Sequence, residues 1–296
     1  MKPAAFEYHA PASVGEAVGL LAELGEDAKA IAGGQSLVPM LALRLAVLDH
    51  LVDLRRMEEL RGIEQRDGGV WIGAGTTQAT IQRSAEVAAW VPLLARATPL
   101  IGHFQIRNRG TLGGSIAHAD AAAEYPAVAL ALDARLEATS PRGARTIAAR
   151  DFFQGMWSTA LQADELLTGV LFPQWGPRSG FAIEEFARRG GDFAIAGAAV
   201  AVQLDTDDRI ARCGIGLFGL GQAALRATTT ETQLTGSAAG EVSAEDIGRT
   251  AMEGLESVPS DLHGSADYRK HVGAAMVARA WERAVQEAGV QEASNA

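Results

Sequence analysis

The sequence predicts an α+β fold in three lobes, and three features of the chain carry that prediction. A strand–helix–strand pattern opens the chain, two hairpin signals with helical stretches fill its middle, and three strand-like runs followed by two helices close it. Its 296 residues are 48% hydrophobic and 21% charged, a globular composition too long for one small core.

The first lobe spans residues 1–58. A short strand at Phe6–Tyr8 precedes a helix whose start is marked by Ser13 and Glu16, a capping-box pair. Val14, Ala17, Val18, Leu21 and Leu24 then recur on one helical face, and Gly25 stands where a helix C-terminus favours glycine. A strand at Lys29–Ala32 runs into Gly33-Gly34-Gln35-Ser36, and His50–Leu54 closes the unit.

The second lobe spans 59–175. Ile63–Arg66 and Val70–Ile72 flank Asp67-Gly68-Gly69, a hairpin signal. Helical stretches follow at Thr77–Val87 and Pro92–Ala97, then an irregular segment from Gly102 to Asp120, a helix at Ala122–Ala131 and a hairpin across Ser140-Pro141-Arg142-Gly143. Pro173 to Gly180, with two prolines and two glycines, reads as a linker. The third lobe, 180–288, holds strand-like runs at Phe181–Ala187, Ala194–Leu204 and Ile210–Leu217, then helices near Ala244–Leu255 and Tyr268–Glu287. The Glu292–Ala296 tail is expected to fray.

Bulk properties exclude several functions. A formal net charge of −10 disfavours a nucleic-acid partner. The single cysteine, Cys213, excludes an internal disulfide and a four-thiolate iron–sulfur cluster, and reads as a small buried apolar residue. The longest apolar stretch, Phe193 to Val202, is too short to span a bilayer, and the opening residues carry no run of signal-peptide length. The expectation is a soluble cytoplasmic protein. His9, His50, His103, His118, His263 and His271 are scattered without helical ligand spacing, so no metal site is expected, and no Gly-x-Ser-x-Gly elbow is present.

Two glycine-pair loops remain, Ala32-Gly33-Gly34-Gln35-Ser36-Leu37 and Thr111-Leu112-Gly113-Gly114-Ser115-Ile116. Lacking Cβ atoms, such loops let backbone N–H groups approach phosphate oxygens, and Ser36 and Ser115 add hydroxyl donors. Either loop alone reads more readily as a tight turn; a pair in separate lobes favours a grip on a pyrophosphate. His118 and Asp120 are either loop groups bonding backbone or cofactor contacts. Arg107 and Arg109 either attract phosphate or form a solvated pair. Gly214-Ile215-Gly216-Leu217-Phe218-Gly219 matches the dinucleotide fingerprint in letters, but Gly221 and Thr228-Thr229-Thr230 follow where a helix is required. It reads as a glycine-rich strand close to another backbone.

The two loops, extended to Val38-Pro39 and to Ala117-His118-Ala119-Asp120, resemble the FAD-binding loops of the carbon monoxide dehydrogenase medium subunit and its xanthine dehydrogenase relatives. Arg107-Asn108-Arg109-Gly110 is similar to that family's lead-in, Arg188-Arg189-Gly190-Gly191-Asp192-Phe193-Ala194 to its third-lobe signature, and Tyr268-Arg269-Lys270 to its last-helix pattern. The resemblance covers nearly the whole chain in the right order. It implies a two-lobe FAD clasp of the vanillyl-alcohol oxidase/p-cresol methylhydroxylase type, followed by a small α+β lobe with an antiparallel sheet.

By resemblance, Gly33, Gly34, Gln35, Ser36, Gly113, Gly114 and Ser115 would surround the pyrophosphate, and Ala32, Leu37 and Thr111 would also bind the cofactor. His118 and Asp120 would border the cofactor, Glu124 would accept hydrogen bonds from it, and Phe193 would lie near the flavin ring. Ala121 stands where relatives often carry proline, and Phe193 where some carry tyrosine. The resemblance further implies an iron–sulfur small subunit with [2Fe-2S] clusters and a large subunit with the molybdopterin cofactor, in a dimer of heterotrimers. Electrons would leave the flavin to NAD, a quinone or another acceptor. The alternatives are a stand-alone flavoprotein oxidase of the vanillyl-alcohol oxidase class, and a nucleotide-sensing scaffold without turnover.

Overall fold

The computed structural model describes residues 2–290; the Glu292–Ala296 tail lies outside them. The opening lobe is a parallel three-stranded sheet of β1 (Glu7–His9), β2 (Ala28–Ile31) and β3 (His50–Asp53), with β3 in the middle. Helix α1 (Val14–Leu24) crosses from β1 to β2 and buries Ala17, Val18 and Leu21, the face its periodicity marks. Ser13 Oγ accepts from Glu16 N at 3.2 Å, while Glu16 reaches back to Ala12 N rather than to its own cap. Gly25 ends the helix at φ 62°. The short helix α2 (Leu37–Ala42) follows the first glycine loop.

Five antiparallel strands form the middle sheet: β4 (Ile63–Arg66), β5 (Gly69–Gly73), β6 (Arg135–Ser140), β7 (Gly143–Ala148) and, after the ribbon β8 (Phe153–Gly155) and β9 (Ser158–Thr159), β10 (Leu166–Pro173). Their spatial order is β4-β5-β10-β6-β7. Both expected hairpins are present. The single helix expected over Thr77–Val87 is two, α3 (Gln78–Arg83) and α4 (Ala85–Trp90), because Ser84 leaves the helical region and caps the second through Val87 N. Helix α5 (Pro92–Ala97) starts on its proline.

The segment expected to be irregular contains two helices, α6 (Phe104–Arg107) and α7 (Leu112–His118). Gly113 and Gly114 lower helix propensity by about 1 kcal/mol each. Thr111 offsets this by accepting from Gly114 N at 3.0 Å, and Leu112 and Ile116 are buried one turn apart. Next, α8 (Glu124–Ala131) is buried along its whole length, and α9 (Ala149–Phe152) follows β7.

The closing sheet is antiparallel, β11 (Ser179–Phe186), β12 (Ala196–Leu204), β13 (Ile210–Phe218) and β14 (Leu225–Arg226) in that order. One face packs on α8, and the other on the long helix α12 (Ala266–Val290), where Trp281 is 2% exposed. The fingerprint-like glycines lie within β13. A Cβ on Gly214 or Gly216 would overlap the carbonyl groups of Ala131 or Ala127 in α8, so these glycines permit close backbone packing. Thr228–Leu234 is nevertheless helical (α10), against the low propensity of three threonines. Tertiary contacts override it: Thr230, Glu231 and Leu234 are buried, and Glu231 accepts from Ile215 N at 2.7 Å. With α11 (Ala244–Ala251), three helices therefore close the chain instead of two. Cys213 is buried, and desolvation pushes its thiol up to about 12.

No helix among the described residues is long and apolar enough to cross a membrane. The histidines are less scattered in space than in sequence, since the β1–β3 pairing sets His9 beside His50.

Candidate cofactor site

The two glycine loops, distant in sequence, touch. The first leaves the carboxyl end of β2 and turns at Gly34, the one glycine of either loop with positive φ, at 71°. A Cβ on Gly33 would overlap the Arg109 carbonyl and lie 2.8 Å from Gly110 Cα, in the lead-in to the second loop. On Gly114, it would stand 3.5 Å from the Ala32 Cβ.

Loop one is the more open of the two. Among the described residues, the backbone N–H groups of Gly33, Gly34, Gln35 and Ser36 meet no acceptor of the chain itself. Gln35 folds back, its Nε2 donating to Gly33 O at 3.0 Å, and Ser36 opens α2 without using its hydroxyl as a cap. A run of four free, half-buried N–H groups beside a free hydroxyl fits the anionic pyrophosphate of FAD.

Loop two is built differently from the sequence expectation. Gly113 N donates to Ala74 O at 2.8 Å and Gly114 N to Thr111 Oγ, so both amides are already engaged. Here Gly113 allows close approach to Ala74, the residue after β5, since a Cβ on Gly113 would sit 2.9 Å from Ala74 Cα. The Thr111 hydroxyl is committed as a helix cap. What this loop presents is Ser115, half-buried, with an unengaged hydroxyl.

The two arginines before the loop, read from the sequence as either phosphate-attracting or a solvated pair, differ in their surroundings. Arg107 donates to the carbonyls of Pro99, Ile101 and Gly102 and to Gln82, which makes it the organiser of the 99–107 turn. Arg109 is exposed. Ala119, at φ 52°, ends α7 and turns the chain toward Asp120. Asp120 accepts from Ala122 N at 2.9 Å, which fixes the turn despite Ala121, and from Trp157 Nε1 at 3.4 Å. His118 stacks on Trp157 with ring centroids 6.1 Å apart, and burial holds its imidazole below the usual range against the pull of Asp120.

Glu124 opens α8 and is 9% exposed. Burial pushes its carboxyl up to about 8, reinforced by the nearby Glu185 and Asp120 charges. At neutral pH it is mostly protonated in the cofactor-free chain, so it offers an O–H donor as well as an acceptor oxygen. Glu185 was invisible as a site residue in the sequence, because in β11 it reads as part of a polar strand edge. Burial raises it to about 7, and one of its oxygens is buried without a partner among the described residues. Glu185 joins His103, Phe104, Gln105, Gly190 and Gly191 in lining a cavity of about 500 Å³ between the middle and closing lobes.

Phe193 stands on the segment that joins β11 to β12, 69% exposed. Arg269 anchors the end of that segment by donating to Ile195 O at 2.6 Å while paired with Asp261 at 2.8 Å. Midway along it, a Cβ on Gly191 would sit 2.7 Å from His103 Cε1.

These positions predict a pH effect. Glu124 releases its proton near 4.5 when unfolded but near 8 when native, so between those values the native state binds more protons and stability falls as pH rises. At about 1.4 kcal/mol per unit, the loss reaches a few kcal/mol by pH 9. Glu124→Gln in the FAD-free chain is expected to flatten this slope, leaving a residue from Glu185, and to melt above the wild type at pH 9. Thermal unfolding from pH 5 to 9 checks it; parallel curves would refute the assignment.

Residues 4–175 match the FAD-binding domain of molybdopterin dehydrogenases, and residues 181–284 the C-terminal domain of carbon monoxide dehydrogenase flavoproteins. The chain belongs to the FAD-binding subunit family of molybdenum hydroxylases. It is 40% identical to the carbon monoxide dehydrogenase medium chain of Hydrogenophaga pseudoflava over 95% of this chain and 97% of that one. With the alpha subunit of the 6-hydroxypseudooxynicotine dehydrogenase complex of Paenarthrobacter nicotinovorans it shares 42% identity over 97% of each. The solved H. pseudoflava carbon monoxide dehydrogenase superposes with a TM-score of 0.93 at 41% identity, covering 97% of this chain and 99% of that one. As a family member, the chain carries an FAD-binding domain and counts as a subunit of an oxidoreductase.

Proposed function

We propose that this chain is the electron-relaying FAD subunit of a three-subunit molybdenum hydroxylase in the cytoplasm, receiving electrons from iron–sulfur clusters on a small subunit. Organic substrate would be oxidised at a molybdopterin centre on a large subunit, and the electrons passed to NAD or another acceptor. The observation that carries this reading is the meeting of the two glycine loops around four free backbone N–H groups.

In this reading, residues 1–58 and 59–175 clasp the cofactor, and 180–288 lies against its flavin end. Gly33 to Ser36, within the Ala32–Leu37 loop, supply the N–H donors for the pyrophosphate, and Ser36 and Ser115 add hydroxyls. Thr111, Gly113 and Gly114 act by holding the second loop against the first. His118, Asp120 and Glu124 border the cofactor, with Glu124 holding a proton near neutral pH. Bound FAD supplies a centre that accepts and releases electrons singly or in pairs. Purified chain is expected to contain one non-covalent FAD, released by acid or heat and running as FAD on chromatography. A chain that stays colourless in excess FAD would refute the proposal.

Phe193 tests the flavin end. With its ring largely exposed and its segment anchored at Ile195, removal of the ring should cost the fold little. Phe193→Ala is expected to retain FAD but to shift its reduction potential or its reactivity with oxygen, because losing an apolar cover admits water. If both quantities match the wild type, Phe193 does not border the flavin.

A further inference from the structure

We propose that Glu7, His9 and His50 form a binding site for one divalent transition-metal ion, of the zinc or copper(II) class, that clips the first strand of the chain to the sheet. The strand geometry brings the three together. Side chains alternate across a strand, so Glu7 and His9 share a face of β1, and the parallel register pairs Glu7 with His50 on that same face. The three ligand atoms lie within 4.8 Å of one another.

Individual distances match a coordination shell. Bonds of about 2.0–2.1 Å from a tetrahedral zinc set ligand atoms about 3.3–3.4 Å apart. His9 Nε2 and His50 Nδ1 are separated by 3.2 Å, and His50 Nδ1 and Glu7 Oε2 by 3.6 Å. The imidazole rings are tilted by 45° with centroids 5.3 Å apart, which aims nitrogen at nitrogen rather than stacking the faces. Without a metal, one of those nitrogens carries the proton that bridges them; a divalent cation takes that proton's place. Two imidazoles with one carboxylate form a ligand set suited to zinc, nickel or copper(II) and leave a coordination position for water.

The opposite face of the same strands holds the geometry in place. Tyr8 donates to Asp53, and Arg55 donates to Asp53 at 2.7 Å and to Tyr8 Oη at 2.8 Å, fixing β1 against β3. Both histidines therefore sit on a pinned frame, and only Glu7, the exposed member, must adjust. His50 opens β3, whereas the Ala32–Ser36 loop leaves the far end of β2, so the site is separate from the cofactor loops. Its effect falls on β1, an edge strand of three residues.

The test uses the full FAD-loaded chain without a histidine tag, stripped with a chelator and titrated with copper(II) or zinc. We expect one equivalent of metal retained through gel filtration, a copper(II) electron paramagnetic resonance signal coupled to two nitrogens, and a higher unfolding temperature with zinc. His9→Gln and His50→Gln should each weaken binding at least about tenfold, and Glu7→Gln should weaken it less. His271→Gln, at an exposed histidine elsewhere, should change nothing. Absence of retained metal, undiminished binding in the His9 and His50 variants, or a signal coupled to a single nitrogen would overturn the proposal. The nitrogen count comes from the unaltered chain, so it decides the matter even where a variant fails to fold.

Discussion

Gly33→Val is expected to give a folded but colourless protein. A valine Cβ at this position would overlap the Arg109 carbonyl, which belongs to the other cofactor lobe and to a backbone that cannot swing aside. The Ala32–Leu37 loop must then retreat from the second loop and carry its four free N–H groups with it. The cause is the loop–loop contact and not backbone handedness, since positive φ occurs at Gly34 and at neither Gly33 nor Gly113. Gly113→Val should lose FAD as well, by pushing α7 off Ala74, with a larger loss of stability because Gly113 is buried. Ser36→Ala and Ser115→Ala remove one hydroxyl each. They should cost about 0.5–1.5 kcal/mol of binding, or up to about 3 kcal/mol where the partner is a charged phosphate. Flavin content after gel filtration, with circular dichroism to confirm folding, ranks the four variants. Full flavin in both valine variants would make the loops ordinary turns.

Local signals were the ones legible in the sequence. The face of α1, the start of α5 at Pro92 and the Asp67-Gly68 hairpin each rest on neighbours within a few residues, and the structure shows all three. Helices α7 and α10 were hidden for one shared reason: poor local propensity offset by distant contacts. In α7 the offset is the burial of Leu112 and Ile116; in α10 it is Glu231 bonded to β13. The glycine loops stood out as motifs, but their division of labour did not. Nothing in Thr111-Leu112-Gly113-Gly114 announces that its amides are spent on Ala74 and Thr111 while the first loop keeps its own free.

Glu185 and the His9–His50 pair were hidden because their chemistry depends on pairing across the fold. A glutamate in an alternating strand looks solvated until the cavity behind it is known, and histidines on separate strands meet only through a parallel register. Arg269 shows the intermediate case. Its motif was visible in Tyr268-Arg269-Lys270, but its role in anchoring the Phe193 segment through Ile195 was not.

Expressed alone, the chain is expected to bind FAD yet leave aldehydes, purines, N-heterocycles and carbon monoxide unoxidised. Cys213, buried and with its thiol raised, can neither ligate a cluster nor act as a nucleophile near neutral pH. Among the described residues, the titratable groups near the cofactor loops include His118, whose imidazole burial holds below the usual range, and Glu124 and Glu185, whose carboxyls burial raises. Such groups tune and position a flavin; they do not supply a hydroxylating centre. Co-expression with a cysteine-rich small chain and a large molybdopterin-binding chain from neighbouring reading frames should give three subunits that elute together. Added substrate should then bleach cluster and flavin absorbance together, and Gly33→Val in that complex should leave the clusters reducible while abolishing flavin bleaching. Steady turnover of an alcohol or phenol by the isolated chain would refute the relay and favour a self-sufficient oxidase. So would a complex whose clusters reduce while a bound flavin stays oxidised, because electrons would then bypass the group this chain is built to hold.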